Sequence, residues 1–403
     1  MPIAQGVSKQ LRYKKEVSWG VAPGAGSGQQ LRRVTSSIDL QKQTYASEEI
    51  RTDQQDAEFR HGVRSVAGTL NGELSVGTYN DFYAAVLRQG WQTAATTGAL
   101  TNVTAATASP QFVRAAGSFL TDGFKVGDVI RWTGWTVATE NNDRNFLITA
   151  LTATDMTGAF LDGTAVGAKA AGDSVTATLV GKKTFVPTTG HTDDSFAFEH
   201  WYSDVAQSEL FLGCKIQNMA FSLPPTGIAT VSMEVMGKDI QTATAQYYTS
   251  PAAVTTGGTL AAVNGAMYIG GTKVALLTGL DFTINSNLTA EPVVGSNSYP
   301  SIFQGRVQVD GNATVFFEDA TYRDVFINET ETSIIGVFTE NNTPTSGFTS
   351  FVFPRVKSGG SGKDDGEKGI IQTVPFKMLI NVNGGSGTDS VQSTISIQDS
   401  AAV

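Results

Sequence analysis

Few residues in the chain are of the types that catalyse reactions or bind metal ions. The histidines and the single cysteine are His61, His191, His200 and Cys214. His191 lies close to Asp193 and Asp194, so a β-rich hydrolase using these three residues is one hypothesis. A polar loop before the strand that begins at Ser195 is the favoured interpretation, because a metal site needs three or more convergent ligands.

Two glycine-rich stretches have the composition of phosphate-binding loops without the required context. Residues 24–28 are not followed by an amphipathic helix, and residues 359–363 lack the Gly-x4-Gly-Lys-Ser/Thr spacing. Cys214 follows an apolar Phe-Leu-Gly stretch, where a free thiol usually acts as a small hydrophobic side chain. The sequence therefore predicts no catalytic residue, no metal site and no cofactor.

The composition favours many short strands joined by tight turns. The chain has 403 residues, 43 glycines, 22 phenylalanines and only 16% charged residues. Its net charge of −9 disfavours a protein that grips nucleic acid phosphates. No segment approaches the ~20 continuous apolar residues of a membrane span, so no membrane association is predicted.

An internal repeat is the strongest signal in the sequence. At an offset of 243 residues, six of the 20 positions in 62–81 are identical to their counterparts, among them Gly68 and Gly311. Residues 37–40 match residues 279–282 at an offset of 242. The order of features repeats as well: a strand, a long loop, a strand with a central glycine, Thr-Tyr-x-Asp and a helical turn.

The repeated strands alternate between apolar and polar residues, which predicts one buried and one exposed face. In the first copy, Asn80 and Asp81 are predicted to cap a helix over residues 82–88 that ends at Gly90. Residues 323–326 begin the same turn in the second copy. Two further strands are expected in each copy, over 216–223 and 229–235 in the first and over 374–382 and 391–398 in the second.

Residues 93–183 have no counterpart in the second copy, which indicates an insertion. The predicted organisation is a first domain over 1–92 and 184–255, an inserted small β domain over 93–183, and a second domain over 256–403. Strands are expected within the insertion over 112–115, 128–132, 145–151 and 174–180. Trp132 and Trp135 are interpreted as its core; as a sugar-stacking surface they would instead support a carbohydrate-binding or adhesin-like protein.

Several short motifs resemble the major tail tube proteins of long-tailed, siphovirus-type bacteriophages. They are residues 11–23 (LRYKKEVSWGVAP), residues 47–55 (SEEIRTDQQ) with the Gly-x-x-x-Val-x-Gly strand that follows, Tyr79-x-Asp81-Phe82, and residues 211–216 through 236–238. The resemblance covers 1–92 and 184–250 directly, and 265–400 through the repeat. It implies a mainly β chain with two tandem antiparallel β-sandwich or barrel-like tube domains, each with a short flanking helix, besides the inserted β domain.

The resemblance also implies a function without catalysis. Inner sheets of neighbouring subunits would join into a barrel, rings would stack into a tail tube, and DNA would pass through the lumen. The implied partners are further copies of the chain, a tape measure protein and tail terminator and tip proteins, and the implied location is the virion tail after assembly in the host cytoplasm. A long loop over Tyr45–His61, with a counterpart over Asn285–Phe303, would contact the next ring. Its candidate contact residues are Glu48, Glu49, Arg51, Asp53, Asp56, Glu58 and Arg60.

The polar strand faces of the two copies carry acidic and neutral residues and no arginine or lysine, which suits a lumen that must not bind DNA. An ordinary solvated sheet face is the alternative, although such faces commonly carry lysine. The candidate lumen residues are Thr69, Asn71, Glu73, Thr230, Ser232, Glu234, Asp310, Asn312, Thr314, Gln392, Thr394 and Ser396.

Two tube domains per chain predict a ring of three chains with pseudo-sixfold symmetry, rather than a ring of six. The insertion is expected on the outside of the tube, because about ninety residues would obstruct a channel sized for DNA.

Overall fold

The computed structural model describes residues 3–364 and 366–403. Strands make up 46% of it and helices 6%, and the sheets curl into half-barrels. The prediction of a mainly β fold is therefore confirmed. Among the described residues, no helix is both long enough and apolar enough to span a membrane.

The elements fall into three stretches along the chain. The first contains β1 (Lys9–Lys15), β2 (Gly26–Gln30), β3 (Thr35–Ser36), β4 (Asp39–Ala46), β5 (Phe59–Glu73) and helix α1 (Asn80–Leu87). The inserted stretch contains β6 (Val103–Ala106), β7 (Gln111–Arg114), β8 (Val129–Thr133), β9 (Phe146–Leu151), β10 (Asp155–Phe160) and β11 (Thr176–Leu179). The next strands are β12 (Lys182–Phe185), β13 (Phe196–Tyr202), β14 (Gln207–Leu223), β15 (Thr230–Gly237), β16 (Asp239–Ala243) and β17 (Ser250–Ala252).

The remaining stretch forms the second half of the protein. It contains β18 (Gly265–Ile269), β19 (Thr272–Lys273), β20 (Leu277–Asn285), β21 (Thr289–Ala290), β22 (Ile302–Phe303), β23 (Gln308–Phe316), α2 (Thr321–Ile327), β24 (Thr332–Thr339), β25 (Phe348–Ser358), β26 (Gly362–Lys363), β27 (Ile371–Met378) and β28 (Ser396–Asp399). Short 3-10 helices cover Gly6–Ser8, Thr139–Asn141 and Ala262–Asn264.

Six strands in each half pair in the same order. In the first half the order is β1, β13, β14, β15, β5, β4. In the second half it is β18, β24, β25, β27, β23, β20. All these pairs are antiparallel, and a helix follows β5 and β23 alike. The two halves thus share one topology.

One continuous sheet of eight strands joins the halves. Its order is β4, β5, β15, β14, β20, β23, β27, β25. The halves meet where β14 pairs with β20, from Asn218 opposite Asn285 to Leu223 opposite Leu280. We call this contact the internal joint.

The ladders of the eight-stranded sheet match the halves residue by residue. The pairing of β14 with β13 contains an irregularity, and Cys214 is the first paired residue of β14 beyond it. The pairing of β25 with β24 contains a similar irregularity, and Val356 is the first paired residue of β25 beyond it. The next residue of β14, Lys215, lies opposite Met236, which lies opposite Ala67 of β5. The next residue of β25, Lys357, lies opposite Lys377, which lies opposite Asp310 of β23. Ala67 and Asp310 are 243 residues apart, which is the offset of the sequence repeat.

β4 and β20, the strands that precede the long loop of each half, match at a different offset. Leu40 lies opposite Val66, and Ile284 lies opposite Val309. Leu40 therefore matches Ile284 at an offset of 244, and the predicted offset of 242 is wrong by two residues. A slip of two residues leaves every side chain on its own face, so alternation alone could not reveal it.

The apolar face of the eight-stranded sheet covers the main core. Its buried members include Val66, Leu70, Met219, Phe221, Val231, Met233, Phe282, Val309 and Phe376. Helix α1 packs in this core, where the Phe82 ring lies 4.7 Å from the ring of Tyr13 and 5.1 Å from that of Phe196. β1, β13 and β24 close the core on its far side.

The two helices differ in burial. α1 begins at Asn80 after an N-cap at Tyr79 that makes no side-chain cap hydrogen bond, and Arg88, rather than Gly90, ends it in the left-handed conformation (φ 60°). The predicted cap and stop were therefore wrong. Five residues of α1 are buried, Phe82, Tyr83, Ala85, Val86 and Leu87, whereas no residue of α2 is buried.

The later strands of the second half lie elsewhere than predicted. β25 matches β14, and β27 matches β15, whereas the sequence alignment placed these two strands at 374–382 and 391–398. β25 escaped detection because Phe348–Phe353 is buried on both faces and does not alternate. β28 pairs with β12 and β25 outside the eight-stranded sheet.

The insertion forms a separate six-stranded sheet in the order β11, β8, β9, β10, β7, β6. Four of its strands were predicted within a few residues, and β6 and β10 were missed. The insertion rests on the second half, where Ile335 of β24 packs against Val129 and Leu147. Its neighbour Ile334 points the opposite way, into the main core. The insertion and the eight-stranded sheet therefore lie on opposite sides of that core.

Candidate functional site

The polar face of the eight-stranded sheet gathers most of the predicted lumen residues. Nine of them lie on it: Thr69, Asn71, Glu73, Thr230, Ser232, Glu234, Asp310, Asn312 and Thr314. One row of directly opposed residues crosses six strands through Asn71, Ser232, Ala220, Thr283, Asp310 and Lys377. Because both halves contribute to this row, the face is continuous across the internal joint.

This polar face is concave. It lines a groove of about 870 Å³ whose walls include Asn71, Ser222, Asp281, Asn312 and Lys377. The apolar residues that alternate with them point into the main core. The curvature of the sheet therefore turns its hydrophilic side inward, toward the axis about which the half-barrels curl.

Acidic groups dominate the charge of the concave face. Its carboxylates include Asp39, Glu73, Glu234, Asp281 and Asp310, and its lysines include Lys377 and the directly opposed Lys357 of β25. The prediction that the face lacks lysine is therefore wrong at two positions, Lys357 and Lys377. The Lys377 Nζ lies 3.4 Å from Asp310 Oδ1, so this cation is partly neutralised by its cross-strand neighbour.

Three predicted lumen residues lie away from this face. Ser396 begins β28, where it is buried opposite Phe185 and Val352. Gln392 and Thr394 lie in the irregular segment before β28. Their assignment to the polar face is wrong, because alternation predicts which residues share a face but not which sheet the strand joins.

Sequence reasoning missed the polar residues of the strands at the internal joint and of β27. They are Asn218, Ser222, Asp281, Thr283, Asn285, Thr373 and Lys377. The alternation of residues 216–223 and 279–285 contained this signal. Their place on the same face as Thr69 depends on the pairing of β14 with β20, which the sequence does not reveal.

The predicted contact loop is shorter than expected. β4 ends at Ala46 and β5 begins at Phe59, so the loop spans 47–58. The candidate residues Glu48, Glu49, Arg51, Asp53, Asp56, Glu58 and Arg60 are all exposed. Arg51 and Asp53 form an ion pair of 2.9 Å, and this hydrogen-bonded guanidinium lowers the pKa of Asp53.

The counterpart loop of the second half lies along the first half. The Arg64 N–H donates to the Asn297 carbonyl oxygen over 2.9 Å. At the base of this loop, the Lys215 Nζ donates to the Ile302 carbonyl oxygen over 2.8 Å, and the Arg88 guanidinium donates to the Ser286 carbonyl over 2.9 Å. The counterpart loop therefore braces the internal joint from the side.

Two of the three residues of the hydrolase hypothesis, Asp193 and Asp194, are engaged in ion pairs. Asp193 Oδ1 lies 2.6 Å from the Lys215 Nζ, and Asp194 Oδ2 lies 2.7 Å from the Lys15 Nζ. Within residues 3–364 and 366–403, no group of three or more His, Cys, Asp and Glu side chains comes together as in a metal site. Burial raises the pKa of the Cys214 thiol well above its usual value, so it stays protonated.

A serine, a histidine and a glutamate meet at a different place. The Ser36 hydroxyl lies 2.7 Å from the Nε2 of buried His200, whose Nδ1 is 3.7 Å from Glu209 Oε2. The second distance exceeds a hydrogen bond, so Glu209 does not orient the ring as a catalytic triad requires. Burial lowers the pKa of His200 and keeps the ring neutral near pH 7.

Trp132 and Trp135 belong to the core of the insertion, as the favoured interpretation expected. Both side chains are buried, and Phe112 packs between 4.7 and 5.8 Å from their ring centroids. Neither ring offers a face to a sugar. The carbohydrate-binding alternative therefore loses the surface on which it depended.

Comparison with known proteins bears on the whole chain. A family model described as "Phage tail tube protein" matches residues 6–378. A search of curated proteins gave no match. The match covers the first half from residue 6 and the insertion, and it ends with β27 in the second half.

Proposed function

The chain belongs to the phage tail tube protein family, and on that premise we propose that three copies close into a ring lined by the concave polar face. Members of this family are structural proteins of the phage tail, where they assemble into a tube. The observation that carries the proposal is the single eight-stranded sheet whose polar side is concave in both halves.

The chemistry of the concave face suits a channel for DNA. Its excess of carboxylates repels phosphates, and each phosphate contact by a free cation would add salt-dependent affinity that slows passage. Lys377 is held beside Asp310, and Lys357 is held beside Glu329. The hydroxyls and amides of residues such as Thr283 and Asn312 keep the surface hydrated without attracting the DNA backbone.

The pairing order supports the proposal of a ring of three chains. We propose that the halves are two copies of one tube domain, since their strands pair in the same order and β5 matches β23 at the offset of 243 residues. The internal joint sets these copies side by side in one sheet. Repeating this relation around an axis closes a ring with threefold symmetry and six similar positions.

The insertion lies on the outside of the proposed tube. The main core separates it from the concave face, because Ile334 points into that core while Ile335 packs against the insertion. The exposed loop 47–58 is proposed to contact the next ring. The proposed partners of the tube are tape measure, terminator and tip proteins, which act along it or at its ends. We propose that assembly takes place in the host cytoplasm.

Labelling of assembled tubes tests this orientation. Purified protein is expected to form uniform hollow tubes under the electron microscope. In an Asn312→Cys variant, a maleimide coupled to a folded protein should react with the free chain but not with tubes, because Asn312 would face the bore. Val137→Cys, at an exposed position of the insertion, should react in both forms and serves as the matched control. Equal labelling of Asn312→Cys in tubes and free chains would refute the lumen assignment.

A further inference from the structure

The two outer edges of the eight-stranded sheet correspond to the two sides of the internal joint. We propose that β4 of one chain pairs with residues 358–364 of a second copy, which we call the acceptor edge, in the antiparallel register of the internal joint. This inference rests on the proposed ring. It specifies which strands meet between chains and which residues lie opposite each other.

β4 and the acceptor edge each lack a neighbouring strand that the corresponding strand of the internal joint has. The distal part of β14 has β15 on one side and β20 on the other. The matching acceptor edge pairs with β27 on one side, and β4 pairs with β5 on one side. Within residues 3–364 and 366–403, neither has a strand on its other side, so each presents unpaired backbone groups.

The internal joint supplies the register. Ala220 lies opposite Thr283 in it. By the ladder match, Ala220 corresponds to Gly362, which faces Thr373 as Ala220 faces Ser232. Thr283 corresponds to Asp39, as shown by the offset of 244. Gly362 of one chain should therefore lie opposite Asp39 of the next.

The burial of one matched pair points the same way. Phe59 and Ile302 each lie opposite an alanine at the base of their hairpins, Ala46 and Ala290. Ile302, whose carbonyl oxygen accepts a hydrogen bond from Lys215 of the first half, is 1% exposed, whereas Phe59 is 59% exposed. A second copy seated on the acceptor edge would bury Phe59 as the first half buries Ile302.

A matched pair of lysines completes the correspondence. Buried Lys215 donates to the Ile302 carbonyl oxygen over 2.8 Å. Its counterpart is Lys357, whose Nζ lies 2.9 Å from Glu329 in the single chain. Since Phe59 corresponds to Ile302, Lys357 is placed to donate to the Phe59 carbonyl oxygen of the neighbouring chain.

The internal joint and the proposed joint between chains differ in one respect. The strand that pairs with β20 is continuous, whereas the strand that would pair with β4 is interrupted. β14 continues unbroken through its joint, but β25 ends at Ser358 and only Gly362 and Lys363 resume pairing as β26. Glycines at 359, 360 and 362 and the charged Lys363 and Asp364 weaken this edge as a template for pairing. A ring would thus contain three preformed joints and three that become regular only when a second copy docks.

Disulfide cross-linking tests the register. The variant Asp39→Cys/Gly362→Cys puts two cysteines directly opposite each other between chains, where Cβ atoms lie about 4.5–5.5 Å apart. A Cβ at Gly362 meets no atom within 4 Å, and Cys214 is buried. Within one chain the two positions lie at opposite ends of the sheet and cannot meet. The matched control, Asp39→Cys/Gly360→Cys, is off register by two residues on the same face.

Mild oxidation of assembled tubes should link most chains of the Asp39→Cys/Gly362→Cys variant into covalent trimers on a non-reducing denaturing gel. The control should link far fewer chains. Tubes that form without cross-links, or that link equally in both variants, would overturn this joint while leaving the tube function intact. If neither variant nor the unmodified chain forms tubes, the proposed function itself fails, and so does the joint derived from it.

Discussion

Gly68 and Gly311 occupy the same place in the two halves, each directly against a backbone carbonyl oxygen of the segment that pairs with its strand. A Cβ at Gly68 would lie 2.4 Å from the Ser37 oxygen, and a Cβ at Gly311 would lie 2.6 Å from the Asp281 oxygen. Ser37 and Asp281 are themselves counterparts at the offset of 244. The central glycine of the sequence repeat is therefore required by the close approach of the neighbouring backbone.

Alanine at either glycine should destabilise the protein. We expect Gly68→Ala and Gly311→Ala each to lower the free energy of unfolding by about 1–3 kcal/mol, because the added methyl group overlaps backbone that cannot move aside. Urea denaturation followed by fluorescence measures this change. Gly24→Ala is the control, since a Cβ there meets no atom within 4 Å. A Gly311→Ala protein as stable as the unmodified chain would contradict the equivalence.

The two helices should differ in their contribution to stability. Phe82 is fully buried, and at the offset of 243 its counterpart is the half-buried Val325. Phe82→Ala should lower the free energy of unfolding by about 3–5 kcal/mol through lost burial and a cavity. Val325→Ala should cost well below that in the same denaturation experiment. Similar losses would show that α2 is packed as tightly as α1.

Stability should fall as the solution becomes mildly acidic. Burial lowers the pKa of His200 from its ordinary 6.5, against the opposing effect of Glu209 and together with the nearby cations Lys9 and Arg33. Below about pH 6.5 the unfolded chain then binds a proton that the folded chain resists, so the free energy of unfolding decreases with falling pH.

Denaturation at pH 7.5, 6.5 and 5.5 measures this dependence. His200→Gln should flatten it, whereas substitution of the exposed His61 by glutamine should leave it unchanged. An unaltered slope in the His200→Gln protein would assign the pH dependence to other groups.

Positive charge on the concave face should create affinity for DNA. We expect Asp281→Lys/Asp310→Lys to bind a short duplex that the unmodified chain does not bind, with affinity falling about tenfold between 50 and 200 mM salt for two phosphate contacts. Fluorescence anisotropy of a labelled duplex reports this. Glu48→Lys/Glu49→Lys changes the net charge equally on the exposed loop and should bind more weakly. Equal binding by both variants would mean that the groove does not receive DNA.

Alternation in the sequence was sufficient to predict β5, β15 and β23, because each has one face in the core and one in solvent. β25 is buried on both faces over most of its length, so it left no alternating pattern. The concave face was predicted at Thr69 and Asn312 but misassigned at Ser396. Which residues of a strand share a face can be predicted from neighbouring positions in the sequence. The pairing of β14 with β20 cannot be predicted in this way, because it joins residues more than fifty positions apart.

The central claim is that both halves of one chain lie side by side in the tube wall. The most direct test is the symmetry of the assembled tube, determined by electron cryomicroscopy. We expect three chains per ring, with the first and second halves alternating around the bore and their eight-stranded sheets joined edge to edge. Six chains per ring, with only one half of each lining the bore, would contradict it.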